Sequence, residues 1–254
     1  MVVYIRETGY STENTTTPYY INVGAYLRGE KVVRYRSIHE IEKLTSEDLV
    51  IDYVHETRAL LALMGIGIKE IDYPEELQPL FGRKIREGVI GEIVNNPDNW
   101  GQFVKPKEGS KLFTGRVVNG TKDLIGISMA FDYPVWISEA VDFKREWRCF
   151  IKDKQVIDVR PYRGDYHYQY NPKIIEKAIE LWDNSPRAYA LDIGVTADNR
   201  TLLVEINDGY AVGNYGLSPI DTFLFYEARW QELVAPYFKT HKELVIPKDR
   251  YKEI

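Results

Sequence analysis

Apolar runs bounded by turn residues alternate with helix-period stretches in the first third of the chain, and closely spaced strands dominate the rest. Residues 2–5 and 49–51 carry the β-branched runs of buried strands. Ile38, Ile41 and Leu44 recur at helical spacing, and residues 57–64 predict a helix stopped by Gly65 and Gly67. A polar loop covers residues 12–17, and Pro74, Pro79 and Gly82 punctuate the end of what reads as a small α/β module over residues 1–81. From Gly101 onward, strands are expected at 102–104, 113–118 and 135–141, and a hairpin joins 147–151 to 155–160 around Lys152-Asp153-Lys154. A helix follows with Asn171 as N-cap and Pro172 at its first position, bearing Ile175, Ile179 and Trp182 on one stripe. Ser218 and Pro219 open a last helix with Phe223, Leu224, Trp230 and Leu233, and both stripes read as core faces.

A second hairpin carries candidate chemistry. Residues 191–195 and 202–209 are apolar strand patterns separated by the turn residues 196–200. Pairing across that turn sets Asp192 opposite Glu205, and Glu205 and Asn207 share a face. Facing Cβ atoms in such a ladder lie about 5 Å apart, so two carboxylates there repel unless a cation separates them. An all-oxygen set of this kind suits magnesium, which takes one or two carboxylates and completes its shell with water and phosphate oxygens. The alternative is a wet face whose two acids are neutralised by nearby lysine or arginine.

At 254 residues, 44% hydrophobic and 28% charged, the composition is that of an ordinary globular protein. A net charge of −5 argues against broad nucleic-acid or anionic-membrane binding. The single cysteine, Cys149, excludes an internal disulfide and a cysteine zinc cluster, and its apolar strand context predicts a buried thiol. No apolar run approaches the roughly 18 residues of a membrane span, and charge arrives too early for a signal peptide. A cytoplasmic location is expected.

Other candidates are ambiguous one by one. Lys105 leaves a strand into the polar loop of Lys107, Gly109 and Ser110, and Thr114-Gly115 brings the chain back. This arrangement suits an anion cradled by backbone N–H groups, or a solvated hairpin tip. The strand 135–141 carries Glu139, and Glu146 follows seven residues on. Arg145, Arg148, Arg160 and Arg163 cluster on the first hairpin, with Arg148 and Arg160 expected near opposite ends of its strands and so not necessarily adjacent. Tyr162, Tyr166, Tyr168 and Tyr170 follow, as a substrate mouth or an aromatic cover.

Taken in order, these pieces resemble the ATP-grasp superfamily over residues 83–217. The resemblance is carried by Val104-Lys105-Pro106, Ser138-Glu139-Ala140-Val141 and Val204-Glu205-Ile206-Asn207-Asp208-Gly209. It is similar to the arm of the ribosomal-protein glutamate ligases, and within it to the short clade named for an arginine and two lysines. The resemblance implies an α/β and α+β protein. Two α+β lobes, 82–140 and 141–254, would clasp ATP behind the small α/β N-terminal domain. Lys105 would meet the α/β-phosphates, and residues 108–115 would form a mobile loop, with Lys107 and Ser110 also on the nucleotide. Glu139, Ala140 and Val141 would hold adenine, and Glu146 the ribose. Arg148 or Arg160 would meet the γ-phosphate, and Asp192, Glu205 and Asn207 one or two magnesium ions, or manganese in their place. Lys84 is the only candidate for a further lysine that many relatives carry on an earlier strand. The implied reaction joins a carboxylate substrate to an amine acceptor (an amino acid, a peptide or a protein) through an acyl-phosphate. Arg160, Arg163 and residues 162–170 are the expected substrate contacts. A small-molecule kinase and a non-catalytic binding scaffold are the alternatives. No nucleic acid or membrane partner is expected.

Overall fold

In the computed structural model, which describes residues 1–7, 17–107, 112–127 and 130–248, the N-terminal module is built on three parallel strands. These are β1 (Val2–Arg6), β2 (Lys31–Tyr35) and β4 (Leu49–Ile51), in the order β2-β1-β4. Helix α1 (Thr17–Leu27) links β1 to β2, and α2 (Val54–Leu63) follows β4. All three residues of β4 are buried, as a strand covered on both faces requires. The helix expected around Ile38, Ile41 and Leu44 does not form. Residues Ile38–Glu40 make one tight turn capped by the Ser37 hydroxyl, and Lys43–Leu44 is a short strand, β3. Three apolar residues across seven positions satisfy burial equally well in extended chain, and Ile41 and Leu44 reach the core by that route. Helix α1 and strand β2 were not legible. The buried face of α1 is Ile21, Gly24 and Ala25, small residues that leave little apolar signal.

A second, antiparallel sheet has the order β5-β8-β6-β7: β5 (Ile85–Val89), β6 (Gln102–Pro106), β7 (Arg116–Val118) and β8 (Pro134–Glu139). The short helices α3 (Gln78–Phe81) and α4 (Gly91–Val94) flank β5. The strand expected at 113–118 is confined to its last three residues, while Phe113 turns into this lobe's own core of Ile90, Ile93, Val104, Val118, Val135 and Ile137.

The third sheet is wholly antiparallel: β9 (Phe143–Lys152), β10 (Gln155–Gly164), β11 (Ala188–Thr196) and β12 (Thr201–Asp208), ordered β10-β9-β11-β12. Asp153 and Lys154, both at positive φ, make the two-residue turn of the first hairpin. Helix α5 (Lys173–Leu181) starts one residue later than expected, with the Asn171 side chain accepting from the Lys173 N–H at 3.1 Å. It covers the face of Trp147, Cys149, Ile151, Leu191 and Ile193. Helix α6 (Pro219–Phe238) covers the other face, where Phe225 packs edge-on against Phe150.

Helix α6 also serves the first sheet. Val3, Ile5 and Leu49 share one core with Phe223, Trp230 and Val234, and the Trp230 indole N–H donates to the Asp48 carbonyl at 2.7 Å. After α6 the chain returns to pair β13 (Leu244–Val245) with β3. No helix among the described residues is long and apolar enough to cross a membrane.

The contact between α1 and α6 depends on Gly24. A Cβ there would lie 2.7 Å from the Phe223 Cβ and meet the Pro219 carbonyl oxygen more closely still. Gly24→Ala should therefore push the helices apart and destabilise by about 1–3 kcal/mol, lowering Tm by roughly 3–10 °C in a thermal melt. An unchanged or higher Tm would show that the helices yield without cost.

Candidate active site

The site grows from a break in the β11–β12 ladder. Val195 pairs Thr201, Gly194 pairs Leu202 and Ile193 pairs Leu203, but Asp192 then pairs Glu205, leaving Val204 as a bulge. An unbroken ladder would have set Val204 opposite Asp192 and kept Glu205 on the face of Leu203, the α5 core. The bulge turns Glu205 to the opposite face, beside Asp192. Its exposed carbonyls are answered by Arg83, whose Nη1 donates to the Leu203 oxygen and Nη2 to the Val204 oxygen, both at 2.7 Å. Burial pushes the Arg83 guanidinium down from its usual range.

Across the sheet, Arg160 pairs Arg148, Arg148 pairs Asp192, and Asp192 pairs Glu205. Lateral partners share a face, so four charges stand in one row, two positive and then two negative. The two arginines, expected near opposite ends of their strands, are direct neighbours in the ladder. Irregularities in the β9–β10 register on both sides of the pair make simple counting unreliable there. Arg148 grips Asp192 bidentately, Nε to Oδ1 at 2.8 Å and Nη2 to Oδ2 at 2.6 Å, with side-chain exposures of 8% and 2%. Arg160 is drawn aside by Asp158. The Asn207 amide nitrogen lies 3.2 Å from Asp192 Oδ2 and 3.3 Å from Glu205 Oε1.

A cavity of about 640 Å³ opens at the acidic end of this row, between the second and third sheets: Glu205 and Asn207 line it, whereas Asp192, Arg148 and Arg160 lie outside its lining. Lys105 enters it from β6, and its Nζ donates to Glu205 Oε2 at 2.7 Å and to Asp72 Oδ1 at 2.6 Å. Burial works against the Lys105 charge, but Glu205, Tyr73 and Asp72 outweigh it and hold the ammonium protonated. Burial likewise opposes the Glu205 charge, yet Lys105 keeps its carboxyl below the usual range. At Asp192 burial prevails over Arg148 and lifts the carboxyl from 3.8 to about 6.

The remaining expected residues are placed as follows. Ser138, Glu139 and Val141 line one end of the cavity, whereas Ala140 is exposed. Glu146 lines it while accepting from the Tyr162 hydroxyl at 2.7 Å and Arg163 Nη1 at 3.0 Å. Lys107 lines it, paired with Glu87. Lys84 is exposed and outside the lining; its backbone N–H donates to Glu139 Oε2 at 2.8 Å, and the inward side chain is that of Arg83. Ser110 and its neighbours 108, 109 and 111 lie outside the described residues. Cys149 is buried, and burial pushes its thiol well up, away from nucleophile chemistry. The sequence reading missed Arg83, Asp72 and Arg58, all of which line the cavity.

Lysine and arginine neutralise the two acids, as the alternative reading expects, but on a buried rather than a wet face for Asp192. Among the described residues no three His, Cys, Asp or Glu side chains form a metal-binding group. Two carboxylates plus an amide, whose half-turn presents its oxygen, nevertheless fit a magnesium ion that keeps water and phosphate ligands.

A family model matches residues 80–224, and it describes an ATP-grasp domain, family 2 of the clade named for an arginine and two lysines. The chain belongs to this ATP-grasp family. The match slightly exceeds the resemblance read over 83–217. Among solved structures, the ATP-grasp fold is shared with D-alanine–D-alanine ligase from Bacillus anthracis complexed with ATP, at 13% identity over 94% of this chain and 98% of that one, TM-score 0.55. It is shared with macrocyclase MdnC bound with precursor peptide MdnA from Microcystis aeruginosa MRC, at 14% identity over 93% and 100%, TM-score 0.51. The ATP-grasp ligase PsnB complexed with minimal precursor, Mg and ADP matches at 13% identity over 93% and 97%, TM-score 0.52. None of the curated proteins matches the chain.

The Arg148–Asp192 pair gives a pH test. Removing the guanidinium leaves burial unopposed, so the Asp192 pKa rises further above its unfolded value. An acid with a raised folded pKa contributes stability that is lost as pH climbs through that pKa. Arg148→Ala should melt near the parent at pH 5 and on the order of 10 °C below it at pH 8. A deficit equal at both pH values would mean that Asp192 does not take up the proton.

Proposed function

We propose that this ATP-grasp protein is an ATP- and magnesium-dependent carboxylate–amine ligase. The γ-phosphoryl group passes to a substrate carboxylate oxygen and ADP leaves. An amine then attacks the acyl carbon, the C–O bond to phosphate breaks, and the amine gives up a proton as the amide forms. The observation that carries this reading is the charged row of Arg148, Asp192 and Glu205, with Asn207 and Lys105 converging on its acidic end. Transfer of a phosphoryl group needs positioning and charge neutralisation more than a covalent protein nucleophile.

In this reading Ser138, Glu139, Ala140 and Val141 receive adenine, Glu146 the ribose, and Lys105 and Lys107 the phosphates. Arg148, already fixed by Asp192, faces the transferring group, with Arg160 next to it in the ladder. Asp192, Glu205 and Asn207 would hold magnesium or manganese, which supplies Lewis-acid neutralisation of the phosphates. Arg163 and Tyr162, at the cavity wall, would meet the carboxylate substrate. MdnC and PsnB hold precursor peptides in the same fold, and an amino acid, peptide or protein is the acceptor we infer here. A cytoplasmic setting supplies the ATP.

The assay measures product nucleotide with panels of carboxylates and amines, with hydroxylamine as a trap. Carboxylate-dependent ADP release that yields hydroxamate is expected, and Glu205→Gln should cut it by about 100-fold or more with little change in the melting of the free chain. AMP and pyrophosphate as products would refute the mechanism, and ADP with an alcohol alone would mark a kinase.

A further inference from the structure

One charged contact in the cavity belongs to none of the roles above. Asp72 lies in the segment between α2 and α3, and its carboxylate takes a hydrogen bond from Lys105 at 2.6 Å with only 17% of the side chain exposed. The segment is pinned to the third sheet, because the Asp72 carbonyl accepts from the Ile206 N–H at 3.0 Å. The next residue, Tyr73, places its ring 5.1 Å from the same ammonium and is itself wedged edge-on against Phe81 and Trp136. Lys105 comes from β6 in the second sheet. Asp72 thus seats the ammonium from a segment tied to the third sheet, across the cleft from the strand that carries Lys105, while the Tyr73 ring packs against Trp136 beside that strand.

We propose that Asp72 is a positioning residue, which fixes the Lys105 ammonium for nucleotide phosphates before any nucleotide arrives. This rests on the reading that Lys105 meets those phosphates. An ammonium has three N–H donors. Asp72 and Glu205 take two, and the third is left for a phosphate oxygen. Glu205 belongs to the set proposed for magnesium, so its hold on Lys105 is shared with that duty. Asp72 has no such second duty, and its backbone anchor keeps it in place. A lysine held in advance loses less rotamer freedom on binding, so the benefit appears as affinity for the phosphate-bearing part of the ligand.

The test is binding of adenosine, ADP and ATP with magnesium by isothermal titration, to the full chain and to Asp72→Asn, Asp72→Glu and Lys105→Ala. Asp72→Asn should weaken ADP and ATP about tenfold, a charge-assisted hydrogen bond's worth, and leave adenosine unchanged. Asp72→Glu should recover part of the loss, and Lys105→Ala should mask the effect of Asp72→Asn in the double variant. Unaltered ATP affinity in Asp72→Asn, while Lys105→Ala weakens it, overturns this inference and leaves the ligase reading intact. An equal loss for adenosine overturns it also, because it marks a general disturbance of the cleft. Absence of nucleotide binding by the parent chain removes both readings together.

Discussion

The site hangs on a single extra residue. The bulge at Val204 puts Glu205 beside Asp192 on one face, and Leu203 with Ile206 on the other. Without it the hairpin would still bury an apolar face, but its acids would divide between the two faces of the sheet, Glu205 falling in the α5 core. A bulge leaves backbone carbonyls without ladder partners, and a cation placed against them is a direct remedy. Arg83 supplies it from the segment between α3 and β5. That segment therefore acts on the geometry of the acids without touching them.

Two neighbouring carboxylates also need electrostatic company. Arg148 takes Asp192 within the sheet, and Lys105 takes Glu205 from across the cleft. These interactions differ in kind. The first joins adjacent strands of one rigid sheet and is almost fully buried, so it is part of the framework. The second spans two sheets with separate cores, the smaller around Val104 and Ile137. The second therefore ties the two sheets together across the cleft, beside the Lys105–Asp72 pair.

Much of this was legible in the sequence, for identifiable reasons. The β11–β12 hairpin showed because strand patterns and turn chemistry are local signals, and the stripes on α5 and α6 showed because helix periodicity is local too; the pairing of Asp192 with Glu205 depends on the Val204 bulge, which neither signal reveals. The Arg148–Arg160 adjacency did not, because register irregularities spoil counting along the β9–β10 hairpin. Asp72 was hidden for another reason. Its partners, Lys105 and Ile206, are distant in sequence, and an acid in the stretch before Pro74 looks like any solvated loop residue. Arg83 was masked by Lys84, the residue type the resemblance calls for, since nothing in a short Arg-Lys pair tells which side chain turns inward. The helix expected near Ile38 failed because burial alone does not choose between extended chain and helix over so short a span.

The shared core of the first sheet and α6 has a consequence for synthesis. Val3, Ile5 and Leu49 find their apolar cover in Phe223 and Trp230, and Trp230 bonds to Asp48 across a separation of 182 residues. On a ribosome moving at roughly 5–20 residues per second, that interval corresponds to roughly ten to forty seconds. For that time the N-terminal strands have been made while the helix that seals them has not. A parallel sheet with one face open is sticky, so over that interval the nascent chain presents an apolar surface open to aggregation.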